Sequence, residues 1–121
     1  MGRLLDSNIV IDALNGIEAA LALLIGSPDA AISVLTWMEV LAGTRTDHDE
    51  RIARAMLSTL TTLPLTPAIS EAAWRIRRDR RIKLVDAVIW AAARVHDLPL
   101  YTRNTKDFDP SDPSVVVPYT I

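Results

Sequence analysis

Short apolar runs alternate with segments of helical period along the whole chain. Arg3-Leu4-Leu5-Asp6 is an apolar run closed by an acid, which predicts a strand over residues 2–6 and a helix from Ser7, with Asp6 or Ser7 as its cap. Ile9, Val10, Ala13 and Leu14 recur at helical spacing, and Gly16 suits the left-handed residue after a helix end. A second helix is expected over 17–25, stopped by Gly26-Ser27-Pro28, and a buried strand over 30–34. Thr36 then reads as the cap of a helix over 37–42 that closes at Gly43. Apart from Gly2, every glycine falls where a helix is expected to stop. Residues 47–60 predict an amphipathic helix with Ile52, Met56, Leu57 and Leu60 on one side. Leu63-Pro64-Leu65 suits a short edge strand, because proline cannot donate to a ladder. Thr66-Pro67 is a cap followed by proline in the first turn, opening a helix that turns Ile69, Ala72, Ala73 and Ile76 inward. The stretch 84–96 is apolar on nearly every face and reads as a helix buried all round. Leu98 to Thr102 is a strand, Asn104 to Phe108 a polar turn, and Val115 to Val117 the last strand. Strands alternating with helices predict an α/β fold: a parallel β-sheet flanked by helices on both faces. No repeat, linker or low-complexity segment interrupts the pattern, so residues 1–121 are expected to form a single domain.

Composition narrows the function classes. Hydrophobic residues make up 50% of the chain, too many for a disordered segment. There is no cysteine, which removes a disulfide framework and thiolate metal ligation and is consistent with a reducing, cytoplasmic setting. Apolar runs such as Ala19 to Ile25 are far too short to span a bilayer, and Arg3 and Asp6 in the first apolar stretch argue against a signal peptide, so no membrane partner is expected. A net charge of −2 argues against a general nucleic-acid coat. A local basic run exists all the same: Arg75, Arg77, Arg78, Arg80, Arg81 and Lys83 hold six of the thirteen basic residues within nine positions. It reads either as a solvated helix end or as a phosphate-facing rim leading into Asp86.

The acids carry the chemistry. Asp6, Glu39 and the Asn104–Asp107 turn each follow an expected strand, and Asp86 lies in the first turn of the apolar helix. Each has a local explanation. Asp6 can cap a helix, Thr36-x-x-Glu39 is a capping-box pattern, Asp86 suits the positive end of a helix dipole, and an acid in a turn is ordinary. Together they point elsewhere. In open parallel sheets ligands gather outside the carboxyl ends of the strands, and acids converging there repel one another unless a cation lies between them. All-oxygen donors point to Mg²⁺ or Mn²⁺ rather than zinc, because His48 and His96 stand isolated in polar settings. Divalent ions in an acidic pocket point to phosphoryl chemistry.

Leu4-Leu5-Asp6-Ser7-Asn8, Thr36-x-x-Glu39-Val40-x-x-Gly43, Leu84-Val85-Asp86-Ala87-x-Ile89-x-Ala91-Ala92 and Leu100-x-Thr102-Arg103-Asn104-x-x-Asp107-Phe108 resemble the motifs of PIN-domain nucleases. More narrowly, the chain is similar to VapC toxins of type II toxin–antitoxin pairs, over almost its whole length and in order. The resemblance implies a Rossmann-like three-layer α/β/α fold and a metal-dependent endoribonuclease that hydrolyses phosphodiesters with a metal-activated water. It implies metal ligation by Asp6, Glu39 and Asp86, with Asp107 as a further catalytic acid. Families with this motif often carry an acid where Asn104 stands, so one tightly held ion is expected. Ser7, Asn8, Thr102 and Asn104 would orient those ligands. Arg77, Arg78, Arg80, Arg81 and Lys83 would meet RNA or a cognate antitoxin. A homodimer is expected, from the likeness and from an apolar chain with three tryptophans; Trp37 and Met38 read either as a surface beside Glu39 or as core. The rivals are a DNA-directed nuclease or phosphatase with the same pocket, and a PIN-like module that binds without catalysis.

Overall fold

In the computed structural model, which describes residues 2–121, five short strands form one parallel sheet in the order β3-β2-β1-β4-β5. The strands are β1 (Leu4–Leu5), β2 (Ala31–Ser33), β3 (Thr61–Leu63), β4 (Leu100–Tyr101) and β5 (Val115–Val116). The helices are α1 (Ser7–Leu14), α2 (Glu18–Ile25), α3 (Val34–Ala42), α4 (Asp47–Leu57), α5 (Pro67–Arg80) and α6 (Leu84–Val95). Alternation along each strand sends neighbouring side chains to opposite faces. Leu4 and Ala31 join the α5–α6 side, where Trp90 meets Phe108 edge-on at 5.5 Å. Leu5 and Ile32 join the other face with Ile9, Val40 and Leu57. Both faces are therefore covered, and the expected three-layer α/β/α architecture holds. Among the described residues, no single helix is long and apolar enough to cross a membrane.

The sheet order places a switch point at β1. The chain leaves β1 for β2 on one side and reaches β4 on the other. That is where side chains can gather between diverging loops.

Several boundaries differ from the sequence expectation. The strands at 30–34 and 98–102 are shorter than expected, and the edge strand β3 ends at Leu63, before Pro64 instead of spanning it. Ser33, not Thr36, caps α3: its hydroxyl accepts from Leu35 N at 3.1 Å, and Thr36 is fully buried inside the helix. Ile52 stands 46% exposed, and Ala53 takes its place in the core. Trp37 packs partly buried against the core, whereas Met38 faces solvent. The apolar helix α6 is buried from Ala87 to Ala93, yet Leu84 and Val85 in its first turn are exposed. Gly16 adopts the left-handed conformation (φ 81°), but α5 and α6 end in left-handed Arg81 (φ 56°) and Asp97 (φ 52°) without glycine.

Candidate active site

Asp6 sits at the carboxyl end of the central strand and is 4% exposed. A buried carboxylate needs donors, and the local sequence supplies them. As the cap of α1 it receives Ser7 N–H on Oδ1 at 2.8 Å. Its Oδ2 accepts Thr102 Oγ1–H at 2.7 Å and Asn8 Nδ2–H at 3.1 Å. Thr102 is the residue just beyond β4, the strand paired with β1. The hydroxyl of Thr102 also accepts Asn104 N–H at 2.9 Å.

Glu39 reaches the same region from α3. Ser7 Oγ donates to Glu39 Oε1 at 2.6 Å and lies 3.0 Å from Thr36 Oγ1. Serine has one hydroxyl proton. With that O–H directed at Glu39, Thr36 must donate to Ser7, which makes a relay Thr36–Ser7–Glu39. Thr36 therefore has a role at the site that its reading as a helix cap concealed. Glu39 lies well inside α3, so it is not the partner of a capping box.

Asp107 is held by Asn104 through two bonds, Nδ2–H to Oδ2 at 3.0 Å and Asp107 N–H to Asn104 Oδ1 at 3.2 Å. Asn104 thus orients the acid of this turn. Asp86 enters from the first turn of α6. Burial raises its pKa to about 6, helped by the charges of Asp6, Asp107 and Glu39 and by hydrogen bonding with Asp107. Burial also raises Asp6, against its bonds from Thr102 and Ser7 and with help from the charges of Glu39 and Asp107. At this end of the sheet Asp86 therefore feels the other three acids anticipated from the sequence, and Asp6 feels Glu39 and Asp107. Among the described residues no three of them stand close enough to form a metal-ligand set. Ser7 and Asn104 tether two of them. Their all-oxygen chemistry and mutual repulsion fit a hard divalent cation.

The basic run is less concentrated than its spacing suggests. Arg75 pairs with Glu71 and Arg78 with Asp79, both at 2.9 Å, and Arg77 donates to Ile82 O at 2.8 Å. Arg80 lies 4.5 Å from the Trp90 ring centre and 3.8 Å from Asp112. Arg81 and Lys83 make no ion pair among the described residues, and Lys83 precedes α6 and Asp86.

A family profile described as the PIN domain matches residues 3–109. The chain belongs to the PIN-domain family. This PIN domain is 35% identical over 113 residues to "Ribonuclease VapC10" of Mycobacterium tuberculosis, covering 87% of this chain and 84% of that protein. It superposes with a TM-score of 0.91 on a chain of a toxin–antitoxin complex from Klebsiella pneumoniae, at 42% identity, covering 99% of this chain and 100% of that one. VapBC2 from Rickettsia felis, solved with a promoter DNA fragment, shares the fold at 19% identity and a TM-score of 0.81, covering 100% of this chain and 99% of that one. The chain is a VapC-like PIN domain.

One further constellation at the site was missed from sequence. Asp12, 5% exposed, receives Arg103 Nε–H on Oδ2 at 2.7 Å, Arg103 Nη2–H on Oδ1 at 2.9 Å and Tyr119 Oη–H on Oδ2 at 2.7 Å. Arg103 holds Asp12 below the usual carboxylate range. The available signal was an acid inside the apolar run Ile9–Leu14, the same signal that singled out Asp86.

Proposed function

We propose that this chain is a divalent-metal-dependent endoribonuclease, the toxin of a type II toxin–antitoxin pair, acting in the cytoplasm as a homodimer restrained by its cognate antitoxin. The observation that carries the reading is the gathering of Asp6, Glu39 and Asp107 at the switch point of the sheet, held by Thr102, Ser7 and Asn104, with Asp86 entering from the first turn of α6. Identity to a ribonuclease and to a chain of a toxin–antitoxin complex supports the substrate and the partner.

Asp6, Glu39 and Asp86 would hold Mg²⁺ or Mn²⁺, with Asp107 as the fourth acid. The bound ion would lower the pKa of a water and neutralise charge at the scissile phosphate. The protein's own work is orientation. Thr102, Asn8 and the Ser7 amide fix the Asp6 carboxylate, so its rotamer is set in advance. The Thr36–Ser7 relay aims Glu39, and Asn104 aims Asp107. Asp86, with its raised pKa, must lose its proton before it serves as a ligand. Arg81 and Lys83 would meet the RNA backbone beside the pocket.

The test is cleavage by nuclease-free protein of RNA, single-stranded DNA and an aryl phosphate, with Mn²⁺ and with chelator. RNA alone should be cut, and only with metal. Cutting of DNA at the same rate makes the protein a general nuclease. Aryl phosphate turnover favours a phosphatase, and cleavage that survives the chelator removes the metal.

A further inference from the structure

Asn8 and Asp12 stand one turn apart on α1 and share a face. Both grip Arg103, by different groups. Asn8 Oδ1 accepts the Arg103 backbone N–H at 3.3 Å, and Asp12 accepts the guanidinium fork at 2.7 and 2.9 Å. The chain beyond β4 is thus stapled to α1 at two heights. Arg103 lies between the two residues that shape the acid pocket. On one side Thr102 Oγ1 clamps Asp6, and on the other Asn104 clamps Asp107. The staple itself is braced from a third place, because Tyr119, in the segment after β5, donates to the same Asp12 oxygen.

A surface ion pair contributes little, but this one differs in geometry. The carboxylate is almost fully buried and receives a bidentate arginine and a phenol. Arginine's planar fork fixes direction as well as distance, which lysine cannot reproduce. The pairing also joins residues far apart in the chain, at separations of 91 and 107 positions. It therefore locks α1, the β4 loop and the final segment into one relative position.

We propose that Arg103, held by Asp12 and Tyr119, is a positioning residue that sets the Thr102–Asn104 backbone and through it the placement of Asp6 and Asp107. The inference rests on the nuclease reading for its catalytic consequence, but not for its structural one. Arg103 is placed at no reacting atom; it acts through its neighbours.

Hydrogen exchange and steady-state kinetics on Arg103→Lys and Tyr119→Phe test it. Tyr119→Phe keeps the ring and removes one bond, which guards against simple misfolding. The decisive amides are Asn104, bonded to Thr102 Oγ1, and Asp107, bonded to Asn104 Oδ1. In Arg103→Lys their protection should fall by about tenfold or more relative to amides in α5, and kcat on RNA should fall roughly ten- to a hundredfold with KM nearly unchanged. Tyr119→Phe should shift both in the same direction by less. Protection lost in the variants while even wild-type protein fails to cut RNA upholds the staple and removes the nuclease reading. Protection unchanged in both variants overturns the proposal whatever happens to activity. A raised KM with unchanged protection would make Arg103 an RNA contact instead.

Discussion

Asp86 shows most plainly which force wins at a single residue. Its place in the first turn of α6 should favour the ionised form by about 0.3–1 kcal/mol at an exposed site. Repulsion between two charges about 4 Å apart is on the order of 4 kcal/mol at an effective dielectric of ~20, although partial exposure screens it. The net result is a pKa raised to about 6, so burial and repulsion outweigh the dipole. Asp86→Asn removes one charge and keeps the shape. It should raise the melting temperature of the metal-free protein and remove most of the stabilisation that Mn²⁺ provides, as read in a melting series with chelator and with metal. The pH dependence has a defined sign. An acid whose folded pKa exceeds its unfolded value of 3.8 binds its proton more tightly when folded. Metal-free stability should therefore rise as pH falls through about 6 and stop gaining from this group below 3.8. Asp12 acts oppositely. Its lowered pKa gives stability that is present above 3.8 and is lost as pH falls through its folded value. Melting temperatures in chelator should therefore peak near pH 3.8, where Asp86 stops gaining and Asp12 starts to lose, and Asp86→Asn should flatten the side of the curve above it.

At the scale of elements, the sequence was most legible where a local rule and the global fold agreed. Thr66 caps α5 ahead of Pro67 as expected, with its hydroxyl accepting Ile69 N–H at 3.2 Å. Asp6 caps α1 and also belongs to the acid pocket, so its two readings were never in conflict. Around α3 the rule misled. Ser33 and Thr36 are both good caps, and only the end of β2 decides that the chain enters the helix at Ser33. Thr36 is then free to meet Ser7, a contact 29 positions away that no local pattern contains. The staple of Asp12, Arg103 and Tyr119 was hidden for the same reason. The last turns of α5 and the link to α6 show a third limit. Spacing clustered six cations there, but neighbouring acids and carbonyls engage most of them. Arg81→Ala with Lys83→Ala should therefore flatten the salt dependence of RNA binding, by about 0.7 in log–log slope per charge on a single strand. The same change at Arg75 and Arg78 should alter that slope less. Equal slopes in filter-binding titrations for both pairs would show that pairing does not matter.

For the whole molecule, the covered faces of the sheet explain stability, and the uncovered apolar side chains are the surface available to the proposed homodimer. Met38 adjoins Glu39, Leu84 and Val85 adjoin Asp86 in the chain, and all three side chains are exposed. Elsewhere Leu21, Leu24, Ile25, Ile52 and Met56 line a groove of about 550 Å³, with Ile25 81% exposed. Apolar surface of this kind marks association. Light scattering at micromolar concentration should give twice the chain mass of 13.3 kDa, and a monomer would count against the homodimer. The proposed activity rests on the pocket rather than on the assembly. It is tested most directly by RNA cleavage with wild-type protein and Asp86→Asn, purified in parallel, shown to be folded, and assayed with Mn²⁺. Wild type should cut and the variant should not, with chelator abolishing the wild-type activity. Cleavage by Asp86→Asn at the wild-type rate would mean that Asp86 is only a helix-end acid, and the active site would have to lie elsewhere.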